Sequence, residues 1–145
     1  MTRFEADIVV RKLNNIKKYL KQLQKYADVD LAEYQKSFDQ QMVVERLLHL
    51  LIESAIDINM HLVVSDGQPP PETYYDSFLE LAEIGAIPAN LAEQLAPSAG
   101  LRNRLVHDYD DLNSAIIHGA IDFALTLYSQ YLEQIESHIQ RLQAS

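Results

Sequence analysis

Residues 102–111, with the sequence RNRLVHDYDD, bring together side chains that can carry out phosphate chemistry. Arg102 and Arg104 offer planar guanidinium groups whose N–H donors match the oxygens of a phosphate. His107 supplies an imidazole, and histidine is the side chain whose ordinary pKa lies closest to neutrality. Together they can cleave a phosphodiester without a metal ion, because the imidazole moves a proton and the guanidinium neutralises charge at phosphorus.

The spacing of Arg102 and His107 requires a particular backbone. At about 100° per residue, five helical positions would separate the two side chains by about 140°. They approach each other only if the helix ends near Val106 and the chain then turns. A purely structural role is also consistent with these residues. In that interpretation Arg102 and Arg104 offset the dipole of a helix C-terminus, and His107 caps the helix.

Composition sets limits on where such a site can act. The chain has 145 residues, a net charge of -9 and no cysteine, which predicts one domain over residues 1–145 without disulfides or a thiolate metal site. The opening MTRFEADIVV lacks the features of a signal peptide, so a cytoplasmic protein is expected. Charged residues interrupt the apolar segment 42–64, so no membrane span is predicted. The acidity means that any nucleic acid must be bound by a local basic site.

The elements that must position the motif are helical. Apolar residues recur with the helical period throughout, which predicts an all-α, up-and-down bundle of four to five helices. The predicted helices cover residues 4–26, 39–64, 74–84, 88–106 and 114–142. Ser37 and Asn113 are expected N-caps, Gly85 is an expected C-cap, and Pro97 is expected to break the fourth helix. The stretch SDGQPPPETYYD predicts a surface loop before the third helix.

A row of polar residues runs along the predicted central helix, with one member every four positions. The row consists of Glu45, His49, Glu53, Asp57 and His61. Three interpretations remain open. The row is a solvent-exposed face, or it belongs to a di-metal carboxylate site, although the chain lacks the Glu-x-x-His pattern that such sites usually need on two helices. In the third, it flanks an active-site cleft, where Glu53 and Asp57 orient a cation or histidine from another segment.

The pair His107-Asp108 supports a different chemistry. It is similar to the motif of the HD phosphohydrolases, in which adjacent His and Asp residues bind a metal with further His and Asp ligands. Only His61 and Asp122 could complete such a set here. A metal-dependent phosphohydrolase is therefore an alternative function.

The longer string R-x4-H-x-Y resembles the signature of the HepT toxins of the HEPN superfamily. The likeness extends to architecture, since HepT proteins are small five-helix bundles with the motif late in the chain and a long closing helix. It implies that Arg102 and His107 are catalytic and that Asn103 and Arg104 support them. The acidic residues near the site would correspond to Glu53 or Asp57.

The same resemblance implies that the protein is the toxin of a type VII toxin–antitoxin system. Such a toxin is an endoribonuclease that cleaves tRNA or mRNA without metal or cofactor. Its partner would be an MntA-like nucleotidyltransferase antitoxin that transfers AMP from ATP to Tyr109. One motif supplies one histidine, whereas in-line cleavage works best with an acid and a base on opposite sides, so a homodimer is expected. A non-catalytic HEPN module that binds nucleotides or a nucleotidyltransferase is the other alternative.

Overall fold

A computed structural model describes residues 2–144 of the chain, apart from the side chains of Phe4 and Tyr109. The described residues contain helices and no strand, which confirms the all-α prediction. The α-helices are α1 (Arg3–Leu23), α2 (Leu31–Lys36), α3 (Phe38–Ser65), α4 (Tyr74–Glu83), α5 (Ala89–Leu95), α6 (Ser98–His107) and α7 (Ser114–Ala144). Two short 3-10 helices, Gln24–Tyr26 and Tyr109–Asp111, follow α1 and α6.

Side-chain caps begin the long helices where the sequence predicts them. Ser37 Oγ accepts a hydrogen bond from the Gln40 backbone N–H at 3.2 Å, at the start of α3. Asn113 Oδ1 accepts from the N–H groups of Ala115 and Ile116 at the start of α7. These bonds satisfy backbone donors that a helix start leaves without partners. The reciprocal bond of a capping box is absent at α3, because Gln40 Oε1 has no partner among the described groups.

Two helix boundaries in the middle of the chain fall at the predicted glycine and proline. Gly85 has a φ of +78°, a conformation that costs glycine little, and it ends α4 as predicted. Pro97 separates α5 from α6, so the predicted fourth helix is two helices. The helix α2 was not predicted. Asp30 caps it by accepting from the Glu33 N–H at 2.8 Å, and its Tyr34 is fully buried.

The helix α3 forms the centre of the bundle and contacts α1, α2, α4, α6 and α7. It is the one helix in the described part of the chain that is long and apolar enough to cross a membrane by length and composition. Half of its most apolar stretch is buried inside the bundle. Its fully buried side chains include Leu48, Leu51 and Ile58, so α3 serves as the core helix of this fold.

The helix α6 runs antiparallel to α3. Its Arg102 lies beside Glu53, in the middle of α3. The chain that follows α6 arrives at Ser114, whose hydroxyl accepts a hydrogen bond from Gln35, just before α3 begins. The end of α6 that carries His107 therefore points towards the first turns of α3.

A buried polar network ties α7 and α4 to α3. The Tyr131 hydroxyl lies 2.6 Å from Asn59 Oδ1 and 3.1 Å from the Ala55 carbonyl oxygen. Asn59 Nδ2 donates to Ser77 Oγ at 3.1 Å, and Ser77 Oγ donates to the Tyr74 carbonyl oxygen at 2.6 Å. Buried polar groups that find partners in this way fix one arrangement of the helices.

Candidate active site

The guanidinium of Arg102 binds the carboxylate of Glu53 through two hydrogen bonds. Nε lies 2.7 Å from Oε2, and Nη2 lies 3.2 Å from Oε1. A third bond runs from Nη1 to Asn103 Oδ1 at 3.2 Å. A guanidinium has five N–H donors. Three are used in these bonds, so two remain for a ligand.

Arg102 and Glu53 each stabilise the charged form of the other. The hydrogen bond from Arg102 lowers the pKa of Glu53, although desolvation opposes the shift. The same bond is the main reason that the pKa of Arg102 is raised. Glu53 therefore stays ionised at neutral pH. The side chains are 14% exposed for Arg102 and 37% exposed for Glu53, so the pair orients Arg102 more than it stabilises the fold.

Two further side chains surround this pair. The Cζ atom of Arg102 lies 5.0 Å from the centroid of the Tyr74 ring, within cation–π distance. His49 Nε2 lies 3.6 Å from Glu53 Oε2, and its Nδ1 lies 3.3 Å from Arg46 Nη1. If Arg46 donates to Nδ1, the imidazole carries its proton on Nε2, which faces Glu53.

Sequence reasoning did not identify Arg46 or Tyr74 as neighbours of the motif. Arg46 precedes His49 by three residues and so lies on the same helix face, a signal that was available. Tyr74 carries no such signal, because the proline-rich loop that brings it to Arg102 has no periodicity.

His107 is the last residue of α6 and is exposed. It has no hydrogen bond or ion pair with any described side chain. The backbone leaves the helical conformation at Asp108, with φ -123° and ψ 30°. The helix thus ends one residue beyond the predicted Val106, so Arg102 and His107 both lie on α6 and the expected turn between them is absent. An exposed imidazole at a helix end is accessible to a ligand.

Tyr109 begins the 3-10 helix Tyr109–Asp111, and its flanking residues Asp108 and Asp110 are exposed. The side chain of Tyr109 lies outside the described part of the structure, so its predicted exposure stays a prediction. Arg104 is exposed and lines a cleft of about 220 Å³ between α6 and the start of α7, together with Asp108.

The members of the polar row of α3 differ in their surroundings. Glu53 binds a cation from another helix, as the cleft interpretation expects. Asp57 instead pairs with Lys12 of α1 at 3.0 Å, and it lines a separate groove with His61. Glu45 is partly buried, and burial raises its pKa. Of the two predicted supporting carboxylates, the structure brings only Glu53 to the motif.

The metal-dependent alternatives find no support in this geometry. His61 lies two helical turns beyond Glu53 in the direction away from the end of α6 that carries His107. Within residues 2–144, no group of three or more histidine, aspartate or glutamate side chains is placed to hold a metal ion. Neither the HD set with Asp122 nor a di-metal site is therefore assembled.

The helical bundle and the arginine–histidine motif at the end of α6 define a protein of the HEPN class. The chain belongs to the HepT-like ribonuclease family, since residues 16–135 match the family described as Ribonuclease HepT-like. This match confirms the resemblance that the motif indicates.

Related proteins cover nearly the whole chain. The tRNA nuclease HepT of Aphanizomenon flos-aquae is 42% identical over 139 residues, which are 96% of this chain and 95% of that protein. The mRNA nuclease HepT of Shewanella oneidensis is 30% identical, over 90% of this chain and 98% of that protein. A solved structure of tri-AMPylated Shewanella oneidensis HEPN toxin in complex with MNT antitoxin has a TM-score of 0.81 and 30% identity, and the match covers 94% of this chain and 99% of that one.

Proposed function

We propose that this chain is the toxin of a HepT/MntA-type toxin–antitoxin system, a cytoplasmic, single-domain endoribonuclease that cleaves RNA without a metal ion. The proposal rests on the contacts of the Arg102 guanidinium. Glu53 holds its guanidinium in place by two bonds, and two of its N–H donors remain for a phosphate. His107, at the exposed end of the same helix, supplies the titratable group.

The proposed reaction is transesterification within the RNA strand. His107 takes the proton of a 2'-hydroxyl, the 2'-oxygen attacks phosphorus, and the bond to the 5'-oxygen breaks as that oxygen receives a proton. The free donors of Arg102 bind a non-bridging oxygen as negative charge develops there. Arg104 adds positive charge nearby, and Asn103 fixes the Nη1 group of Arg102. The products end in a 2',3'-cyclic phosphate and a 5'-hydroxyl.

We propose a homodimer as the active species. Each protomer supplies one motif, whereas the two proton transfers take place on opposite sides of the phosphate. Exposed apolar side chains at the end of the bundle towards which α6 points support a contact there. Phe38 is 70% exposed, and Met42 and Ile116 are each 49% exposed.

Light scattering tests this assembly. We expect about twice the protomer mass of 16.6 kDa at micromolar concentration. A fully active monomer would overturn the dimer but leave the chemistry at Arg102 intact.

We propose that the nuclease activity is regulated by adenylylation of Tyr109, carried out by an MntA-like nucleotidyltransferase antitoxin. A solved relative is a tri-AMPylated toxin in complex with MNT antitoxin. Tyr109 follows His107 by two positions, in a turn whose flanking aspartates are exposed. AMP attached there brings a phosphodiester charge and a nucleoside next to Arg102 and Arg104, where they compete with RNA for the same donors.

A cleavage assay on tRNA and mRNA in the presence of EDTA tests the function. Wild type is expected to cleave, and Arg102→Ala and His107→Ala are expected not to. His61→Ala is the matched control, because this histidine lies outside the site, and it should cleave like wild type. EDTA-sensitive activity that requires His61, or products with a 5'-phosphate, would refute the proposed mechanism. RNA or nucleotide binding without cleavage would favour the binding-module alternative.

A further inference from the structure

The guanidinium of Arg102 is contacted along one edge, on Nη1 and by the ring of Tyr74. Glu53 takes the edge formed by Nε and Nη2, and Asn103 takes one donor of Nη1. A carboxylate that binds one edge fixes that edge but still permits the plane to tilt about the axis between the two groups. Cζ lies over the Tyr74 ring, 5.0 Å from its centroid, so the ring is a second contact that can limit this tilt.

We propose that Tyr74 is a positioning residue for Arg102, which holds the guanidinium plane so that its two free N–H donors face the phosphate. This inference rests on the proposed function, because it assigns Tyr74 a role in the reaction at Arg102. The contact is through the ring face. The Tyr74 hydroxyl makes no hydrogen bond to any described group, so phenylalanine should replace tyrosine here.

The core of the protein fixes the position of Tyr74. Tyr74 is the first residue of α4, which Thr73 caps by accepting from the Asp76 N–H at 3.0 Å. The Tyr74 carbonyl accepts from the fully buried Ser77, and Ser77 accepts from the fully buried Asn59 of α3. Glu53 is also on α3. One helix therefore anchors both the edge contact and the face contact of Arg102, and the two can act as a rigid unit.

Tyr75 provides a matched comparison within the chain. It is the next residue on the same helix and is 47% exposed, against 36% for Tyr74. Its ring contacts no described cation or aromatic ring. A role specific to Tyr74 therefore predicts that only one of two adjacent tyrosines matters.

Steady-state cleavage kinetics test the proposal. Tyr74→Leu should lower kcat about 3- to 30-fold, the range expected for loss of a cation–π contact, with KM within about twofold of wild type. Tyr74→Phe should restore kcat, and Tyr75→Leu should behave like wild type. Circular dichroism checks folding, and Tyr74→Met replaces the leucine variant if that variant loses helical signal.

A second readout does not depend on activity. The Nε–H of Arg102 gives one of six arginine signals in a nitrogen–proton NMR spectrum, and the signal can be identified by its loss in Arg102→Lys. Its exchange with solvent should be faster in Tyr74→Leu than in wild type, and unchanged in Tyr74→Phe and Tyr75→Leu.

The possible outcomes distinguish failure of the positioning role of Tyr74 from failure of the proposed function. Unchanged kcat and unchanged Nε–H exchange in Tyr74→Leu, with Arg102→Ala inactive, would overturn the positioning role alone. A raised KM at unchanged kcat would also overturn it, because that result would identify Tyr74 as a platform for a nucleobase. Wild-type cleavage by Arg102→Ala would instead overturn the proposed function.

Discussion

The two ends of the motif differ in burial and in side-chain contacts. Arg102 is largely buried and is held by Glu53, Asn103 and Tyr74, all on helices that pack around the core. His107, five residues on, is exposed and has no partner among the described side chains, and Asp108, Asp110 and Asp111 after it are exposed as well. A group that must stabilise charge benefits from being fixed in advance, whereas groups that exchange protons or accept a modification must be reachable. The predictions below test this division.

The largest effect is expected from deleting either catalytic side chain. Arg102→Ala and His107→Ala should each lower cleavage by at least about 100-fold and abolish toxicity, because one removes the charge at phosphorus and the other the proton acceptor. Helical circular dichroism should stay intact in both. Toxicity at wild-type expression levels in either variant would contradict the assignment.

The exposed end should also be the end that the antitoxin modifies. Intact-mass spectrometry of the chain co-expressed with an MntA-like partner should show adenylyl increments on wild type and none on Tyr109→Phe. That variant should remain an active nuclease that escapes neutralisation by modification. Adenylylation mapped to Tyr74 or Tyr75, or full neutralisation of Tyr109→Phe by an inactive partner, would count against this role.

The two neighbouring carboxylates of α3 should differ in their effect on catalysis. Glu53→Gln keeps the shape of the contact with Arg102 but loses its charge, so we expect kcat to fall about tenfold. Asp57→Asn removes a partly exposed pair with Lys12 and should change kcat by less than about twofold. Parallel kinetic assays of the two variants would measure this, and equal losses would show that Asp57 also serves the site.

The smallest effect is on stability as a function of pH. The pKa of Glu53 is lowered in the folded protein, so its contribution to stability is present above the ordinary value of 4.5 and is lost as the pH falls through the lowered value. Thermal unfolding of wild type and Glu53→Gln should therefore differ by a small, constant amount between pH 5 and 7, a range chosen to lie above the ordinary carboxylate values. The difference should shrink in stronger acid. A difference that appears only near neutral pH would indicate another titrating group.

Much of the fold could be predicted because its signals are local. The helical period marks α1, α3 and α7, and single residues such as Ser37, Gly85 and Asn113 set boundaries by supplying a cap or a positive φ. The helix α2 was missed for the same reason, since six residues are too few to show a period. Its stability comes from burying Tyr34, which is a tertiary contact.

The sequence by itself determined the long helices, the motif and the end of α6 to within one residue. It could not choose between Glu53 and Asp57, because the two lie one turn apart on the same face of α3. Their partners are 49 and 45 positions away in the chain, on α6 and α1, and only the packing of those helices decides which cation each carboxylate meets. Tyr74 reaches Arg102 for the same reason. A periodic pattern fixes which face of a helix is polar, but the neighbouring helices fix what that face contacts.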